Sequence, residues 1–173
     1  MTDRKIHIET ERFTLKNLTT NDATLQYLRW LDEQSSSGYI VSAKQCCNIG
    51  DLRLYIQERE VNKDVIFLGI FTREQHYHIG NIKYEPINQA LKYAVMGIMI
   101  GEKDWQGKGV ASEVITASAN WLKEYYGIEQ IILGVDVSNA QAIRAYTKTG
   151  FVIKATDKIN VDSIFKLSMI LDI

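Results

Sequence analysis

The feature that most constrains the fold is a strand, a glycine-rich loop and a long helix in direct succession between residues 97 and 126. Alternating side chains predict that the strand ends at Ile100. The loop that follows reads Gln-Gly-Lys-Gly-Val-Ala, from Gln106 to Ala111. Apolar residues then recur at steps of three and four as far as Tyr126, which predicts a helix with one buried face. The rest of the chain must fold around this unit.

The loop has the properties of an anion-binding site, above all for phosphate. Gly107 and Gly109 carry no side chain that would keep a ligand away from the backbone. The first N–H groups of the helix lack intrahelical partners, and the helix dipole is positive at that end. Lys108 adds a full positive charge. The alternative is an ordinary strand-to-helix turn that uses glycine for its geometry.

Two well-known phosphate motifs do not fit the loop. A Walker loop needs four residues between its glycines and a Ser or Thr after the lysine. Here five residues separate Gly101 from Gly107, and Gly109 follows the lysine. A Rossmann fingerprint needs a third glycine where Ser112 stands. The sequence therefore disfavours a P-loop NTPase and a dinucleotide-dependent dehydrogenase.

A second informative stretch runs from residue 138 to residue 151. Ser138 and Gln141 have the spacing of a capping box, which predicts that a helix begins there. Gly150 is expected to end this helix in a left-handed conformation, before a further strand. Tyr146 lies on a face of otherwise small side chains, which could leave a slot beside its phenol.

Both stretches resemble the GNAT (GCN5-related N-acetyltransferase) superfamily. The loop matches the family pattern Gln/Arg-x-x-Gly-x-Gly/Ala at Gln106, Gly109 and Ala111. The order of predicted elements is also similar over roughly residues 6 to 171, and the segment from Glu11 resembles the subgroup of ribosomal-protein, polyamine and aminosugar acetyltransferases. The second stretch matches Asn-x-x-Ala-x-x-x-Tyr-x-x-x-Gly-Phe at Asn139, Ala142, Tyr146, Gly150 and Phe151.

The resemblance implies a mixed α/β (α+β) fold of the GNAT type. Its central sheet is mostly antiparallel, has about six to seven strands and about four flanking helices, and is splayed between the strands at about 92–100 and 130–135. Side-chain patterns predict strands at about 12–18, 65–72, 78–85, 92–100, 130–135, 151–156 and 163–171.

The first half of the chain predicts two helices before the central strands. The first is expected to be capped within Thr19–Asp22 and to end near Glu33, and the second to run from an Asn48 cap to about Lys63. Residues 35–38 predict a loop, and the segment 34–48 is a candidate mobile substrate loop. His76 and His78 are interpreted as hairpin residues, because no third metal ligand is visible.

The resemblance implies that acetyl-CoA is the co-substrate and that no metal is needed. Its pyrophosphate would rest on the loop and the first turn of the helix, and its pantetheine arm would pair with the strand before the loop like an additional strand. Asn139 would lie near that arm. The implied cofactor-binding residues are Ile98, Met99, Ile100, Gln106, Gly107, Lys108, Gly109, Val110, Ala111, Ser112 and Asn139.

The same resemblance implies direct attack of a substrate amine on the thioester. Tyr146 occupies the family's position for the acid that protonates the leaving thiolate, and a phenol is still protonated at neutral pH. The alternative is a tyrosine that fills core space. Many relatives carry a glutamate where Val95 stands, so no base is assigned. The proton of the amine could instead be lost to Glu85 or to a water chain, or the amine could already have a low pKa.

Composition and charge disfavour several other classes of protein. A net charge of −1 and the lack of a basic stripe disfavour nucleic-acid binding. No apolar run approaches a membrane span, no signal-type segment is visible, and the adjacent Cys46 and Cys47 are expected to be reduced thiols, as in a cytoplasmic protein. The chain is expected to form one domain over residues 1–173.

The sequence leaves the identity of the acceptor open. It is expected to be a small-molecule amine, such as an aminosugar, a polyamine or an aminoglycoside. A protein N-terminus is the alternative acceptor, and a non-catalytic acyl-CoA-binding module is the alternative function. A homodimer is compatible with the sequence.

Overall fold

A computed structural model of the chain describes residues 5–37, 46–160 and 166–173, and in them eight strands form one sheet. The strands are β1 (His7–Glu9), β2 (Phe13–Asn17), β3 (Ile66–Thr72), β4 (His78–Asn88), β5 (Tyr93–Ile100), β6 (Gln130–Asp136), β7 (Val152–Ile153) and β8 (Lys166–Asp172). The α-helices are α1 (Leu25–Ser37), α2 (Ile49–Glu60), α3 (Val110–Tyr126) and α4 (Ala140–Thr149).

The sheet has the strand order β1-β2-β3-β4-β5-β6-β8-β7 and is antiparallel except between β5 and β6. These two strands are parallel because α3 carries the chain from the end of β5 back to the start of β6. The mostly antiparallel mixed fold predicted from the sequence is therefore confirmed.

The parallel pair opens soon after it begins. Tyr93, Ala94 and Val95 pair with residues 130–132 of β6. Beyond Val95 the two strands no longer pair, whereas β5 stays paired with β4 as far as Ile100. We call this opening the β5–β6 gap. It is the splay that the resemblance predicted between the two strands.

Helices pack on both faces of the sheet. On one face, α3 buries Val114, Ile115 and Leu122 in the larger core cluster. On the other, α1 and α2 form a second cluster with Phe67 of β3 and Met99 of β5. All seven residues of β3 are buried because helices cover the sheet on both sides, as its continuous apolar run predicted.

Several element boundaries differ from the predictions. The strand β1 was not predicted, because three residues are too few to show a period of two. Thr19 and Asp22 cap a separate 3₁₀ turn, Thr20–Asp22, rather than α1 itself. The predicted loop at residues 35–38 is wrong for residues 35–37, which continue α1.

Other expectations fall partly outside the described residues. Gly38 and most of the candidate mobile loop at 34–48 lie there, as do residues 161–165 of the last predicted strand. The described part of that strand begins at Lys166. The second helix begins at the predicted Asn48 cap, whose side chain accepts from the Asp51 N–H, but it ends at Glu60. Within the described ranges, no helix is long and apolar enough to cross a membrane.

Candidate active site

The glycine loop between β5 and α3 holds two glycines in left-handed conformations. Gly107 has φ 71° and Gly109 has φ 75°, values at which any residue with a Cβ is strained. Gly109 is the N-cap of α3, and no side chain of the described residues caps this end. The first N–H to bond within the helix is that of Glu113, which donates to the Gly109 carbonyl at 3.2 Å. The amides of residues 110–112 are therefore available to an anion.

Gln106 ties the loop to the end of β5. Its side-chain Nε2 donates to the Ile100 carbonyl at 2.9 Å. Trp105, just before it, packs edge-on against Phe13 of β2, with ring centroids 5.4 Å apart. Gln106, predicted to bind the cofactor, thus has a bracing role within the protein in this conformation.

A contact between the β1–β2 turn and α3 fixes the first turn of this helix. Glu113 accepts from Arg12 Nε at 2.7 Å and from the Arg12 backbone N–H at 2.8 Å. It also accepts from the Thr10 hydroxyl at 2.6 Å. Arg12 Nη1 donates to the Lys108 carbonyl at 3.1 Å, so the arginine holds both the loop and the helix. We call this set the Arg12–Glu113 clamp.

The clamp also lowers the pKa of Glu113 and neutralises its charge at the start of α3. Burial would raise the pKa of Glu113, but its hydrogen bonds from Thr10 and Arg12 and the charge of Arg12 outweigh burial and lower it. The carboxylate is therefore ionised at neutral pH and neutralised by Arg12. Lys108 is exposed beside the loop, with its Nζ 6.0 Å from the Trp105 ring centroid. Positive charge thus remains available next to the free amides.

The second predicted stretch lies at the same edge of the sheet. Because β5 and β6 are parallel, the loop after β5 and the start of α4 after β6 meet at their carboxyl ends. Asn139 caps α4, with its side chain accepting from the Ala142 N–H at 3.2 Å. The predicted capping box beginning at Ser138 is wrong, because the Ser138 hydroxyl donates instead to Asp136 at 2.6 Å.

Tyr146 is half-buried on α4 and packs against the larger core cluster. Its ring centroid lies 5.7 Å from that of Phe151. Burial raises the pKa of Tyr146 to about 12. The phenol is therefore protonated at neutral pH.

The position where many relatives have a glutamate holds an apolar contact. Val95 is half-buried and packs against the small cluster of Tyr93, Ile132 and Ile170. It can neither take a proton nor carry charge. The nearby strand β4 supplies Glu85, which is paired with Lys83 and Arg59.

His78 has surroundings that its sequence context did not reveal. Its ring stacks on Phe71 at 4.7 Å and meets the rings of Trp30 and Tyr27 edge-on at 5.0 and 5.7 Å. Burial lowers the pKa of His78. Nowhere in the described chain do three His, Cys, Asp or Glu side chains form a group that could hold a metal ion.

The chain matches one family model over most of its length. Residues 9–152 match the acetyltransferase (GNAT) domain. A curated relative, the L-amino acid N-acetyltransferase AaaT of Escherichia coli (strain K12), is 41% identical over 69 residues. The aligned segment covers 38% of this chain and 40% of that protein.

Solved structures of similar fold cover nearly the whole chain. RimL, a ribosomal L7/L12 α-N-protein acetyltransferase in complex with coenzyme A, aligns with a TM-score of 0.82 at 14% identity, over 97% of this chain and 98% of its own. The microcin C7 self-immunity acetyltransferase MccE, in complex with acetyl-CoA and AMP, aligns with a TM-score of 0.78 at 17% identity, over 94% and 93%. At these identities the likeness extends to the fold alone.

Proposed function

Since this chain belongs to the GNAT acetyltransferase domain family, we propose that it transfers an acetyl group from acetyl-CoA to the primary amine of a small molecule. The observation that carries this proposal is the uncapped start of α3, behind two glycines with positive φ and beside the β5–β6 gap. The family resemblance found in the sequence motifs is confirmed by the match over residues 9–152.

Two parts of acetyl-CoA, the pyrophosphate and the pantetheine arm, have suitable partners among the described residues. The amides of residues 107–112, with Lys108, suit the pyrophosphate because they present N–H groups and positive charge without side-chain obstruction. The free edge of β5 at Ile98 and Met99 suits the pantetheine amides, since β6 does not pair there. The Ile100 carbonyl already accepts from Gln106 Nε2 within the protein. Asn139 caps the helix that borders the gap.

The reaction we propose is direct transfer in a ternary complex. The neutral amine nitrogen attacks the thioester carbonyl carbon, a C–N bond forms, and the C–S bond breaks. The nitrogen loses a proton to solvent or to a base that we leave unassigned. The thiolate takes its proton from the Tyr146 hydroxyl, which burial keeps protonated by raising its pKa. Tyr146 then recovers a proton from water.

Two classes of acceptor are represented among the similar proteins. Similar proteins include an L-amino acid N-acetyltransferase and a ribosomal-protein acetyltransferase. Small-molecule amines and protein N-termini are thus the two acceptor classes to compare. A non-catalytic acyl-CoA-binding module would have no use for a protonated phenol at the position of Tyr146.

The test is thiol release from acetyl-CoA with a panel of amines. The panel includes amino acids, aminosugars, spermidine, an aminoglycoside and short peptides with free N-termini. We expect amine-dependent release of CoA with at least one small molecule, at a rate well above hydrolysis. Release only with peptides would favour the protein acceptor. Binding of acetyl-CoA without release for any amine would favour the non-catalytic module.

A further inference from the structure

A half-buried cationic cluster lies on the α2 side of β4. Glu85 Oε2 lies 2.7 Å from Lys83 Nζ and 3.2 Å from Arg59 Nε. The side chains of Arg59, Lys83 and Glu85 are 16%, 25% and 31% exposed. Two cations thus share one carboxylate in a place largely removed from water. Glu58 also approaches Arg59, at 3.7 Å, but it is 75% exposed and offsets little of the remaining charge.

Tyr55 of α2 holds the two cations in place. Lys83 Nζ donates to the Tyr55 hydroxyl at 3.0 Å, and Arg59 Nη1 donates to the Tyr55 carbonyl at 3.1 Å. The Arg59 guanidinium also lies over the Tyr55 ring, 3.5 Å from its centroid. An arginine and a lysine carry more N–H donors than these contacts use. The cluster therefore has both charge and donors left for a ligand.

The cluster lies on the face of the sheet to which Gly97 points, next to the β5–β6 gap. Lys83 pairs with Gly97 of β5, so both residues point to the same face of the sheet. A Cβ built on Gly97 would meet nothing of the described chain within 4 Å. Gly97 lies two residues beyond Val95, where pairing between β5 and β6 ends. A molecule above Gly97 would thus touch the cationic cluster and reach the gap.

The same strand also carries a buried amide group on this face. Asn81 lies two residues before Lys83 on β4 and is only 4% exposed, with its Oδ1 2.8 Å from His78 Nε2. Its Nδ2 is buried without a hydrogen-bond partner among the described residues. The Tyr27 hydroxyl interacts with the Asn81 side chain and with the charge of Arg59. Tyr27 thus supplies a polar neighbour for this amide inside the protein, and the ligand site we consider is the cationic cluster itself.

We propose that the Arg59–Lys83 cluster binds a carboxylate of the acceptor, so that the acceptor is an amine of the α-amino acid class. This inference rests on the proposed acetyl transfer and names its substrate class. A carboxylate bound above Gly97 would complete the charge balance of the cluster and leave the adjacent amine facing the gap. A polyamine is disfavoured, because Glu85 already pairs with two cations.

The test compares amino acids with the amines that lack only their carboxylate. We would measure kcat/KM by thiol release for L-leucine and 3-methylbutylamine, L-phenylalanine and 2-phenylethylamine, and L-lysine and 1,5-diaminopentane. The wild type is expected to prefer at least one amino acid over its partner by about a hundredfold, of which roughly tenfold reflects the lower pKa of the α-amino group and roughly tenfold one charged hydrogen bond. Lys83→Met should reduce that preference by about tenfold, and Glu85→Gln should increase it.

The control variant is Lys92→Met. Lys92 also forms a lysine–glutamate pair, with Glu129 at 2.6 Å, but at the opposite end of β5. Lys92→Met should leave the preference for the amino acid over its amine unchanged. Because each variant is assayed with the same substrate pair, the different pKa values of the two amines cancel. The opposite effects expected for Lys83→Met and Glu85→Gln separate a charge effect from a loss of folding.

Two results would overturn the inference and leave the proposed function intact. One is that the wild type uses the amines lacking a carboxylate as well as the amino acids. The other is a preference that survives Lys83→Met and is not increased by Glu85→Gln. Failure to release thiol with any amine of any class, despite binding acetyl-CoA, would instead contradict the proposed function itself.

Discussion

The phenol of Tyr146 is the single group on which the proposed chemistry depends most. Its pKa is raised to about 12 by burial, so it starts each cycle protonated. Tyr146→Phe removes the hydroxyl and keeps the ring contact with Phe151. General acid catalysis contributes on the order of a hundred- to ten-thousandfold, and we expect kcat to fall by about a hundredfold because a CoA thiolate is a tolerable leaving group. Steady-state kinetics at saturating acetyl-CoA measure this.

The affinity for acetyl-CoA separates an acid from a packing residue. If Tyr146 acts only in the transition state, kcat and kcat/KM should fall by similar factors while the dissociation constant of acetyl-CoA stays unchanged. An unchanged kcat, with chemistry shown to limit the rate, would make Tyr146 a core residue and remove the acid from the mechanism.

The side chain of Glu85 is poorly suited to serve as the base. Burial would raise its pKa, but the hydrogen bonds and charges of Lys83 and Arg59 prevail and lower it. A carboxylate of lowered pKa is a weak proton acceptor near neutral pH. We therefore expect the rising limb of kcat/KM with pH to keep its midpoint in Glu85→Gln, even where the size of kcat/KM changes.

Val95→Ala is the companion variant in that pH series. It changes packing beside β6 without removing a titrating group, so its midpoint should also stay in place. Loss of the midpoint in Glu85→Gln alone would identify Glu85 as the base and show that its pairing with Lys83 and Arg59 does not prevent it from taking the proton.

Individual site residues were predictable only where backbone geometry or a motif dictates them. Gly107 and Gly109 belong to that group, whereas the cap of α4 was predicted at Ser138 and lies at Asn139. The partners of Glu113 and Glu85 did not show in the sequence. Arg12 and Glu113 are 101 positions apart, and Arg59 and Glu85 are 26 apart. Such ion pairs exist only once the strands and helices have been brought together.

At the level of elements, the Arg12–Glu113 clamp should contribute a pH-dependent part of the stability. The folded protein holds the pKa of Glu113 below its ordinary value of 4.5. The contribution is therefore present above about pH 4.5 and is lost as the pH falls through the lowered value. We expect Glu113→Gln to reduce the free energy of unfolding by about 1–2 kcal/mol at pH 7. The difference from the wild type should shrink towards pH 3.

Denaturant unfolding at several pH values measures this difference. Glu124→Gln is the matched control, because Glu124 is an exposed glutamate on the same helix. It should cost only a few tenths of a kcal/mol. A Glu113→Gln penalty that is equal at pH 7 and pH 3 would show that the clamp acts through packing rather than charge.

The loop and the start of α3 should act together as the acetyl-CoA site. At a hundredfold excess over the dissociation constant, acetyl-CoA should stabilise the fold by about 2.7 kcal/mol. That corresponds to a rise of roughly 5–10 °C in Tm for a domain of this size. Gly109→Val should abolish the rise, because its side chain intrudes on the loop and its φ of 75° is strained for valine.

The strain itself must be controlled for, since Gly109→Val will lower the Tm of the unliganded protein as well. Gly127→Val places the same strain at the other end of α3, where the C-cap has φ 64°. Gly127→Val should lower the Tm and keep the rise with acetyl-CoA. If Gly109→Val keeps the full rise, the loop does not carry the pyrophosphate.

Elements of clear period were predictable, and their ends were less so. The sequence predicted α3 closely, because one apolar face persists over the whole helix. The sequence predicted that α1 ends near Glu33, because a run of three serines is typical of a loop, but the helix continues to Ser37. Local propensity alone does not decide where a helix ends.

For the whole molecule, the mixed sheet and its splayed pair were predictable from motif order. The strand count was not, because β1 depends on pairing with β2 rather than on its own pattern. The face that carries the cationic cluster was also hidden, since it needs β4, β5 and α2 in their final arrangement. The sequence therefore predicts the glycine loop and the β5–β6 gap better than the face that carries the cationic cluster.

The β5–β6 gap gives the sheet a seam. Of the described strands, five lie on one side and three on the other, and three residue pairs at one end of the seam bridge them. Within the sheet, the two halves are thus joined only by this short paired end of the described strands, and the shared core packs against both. A pantetheine arm laid along β5 would act as a splint across the seam. Amide hydrogen exchange at residues 133–136 should then slow when acetyl-CoA is added, even where no bond to the ligand forms.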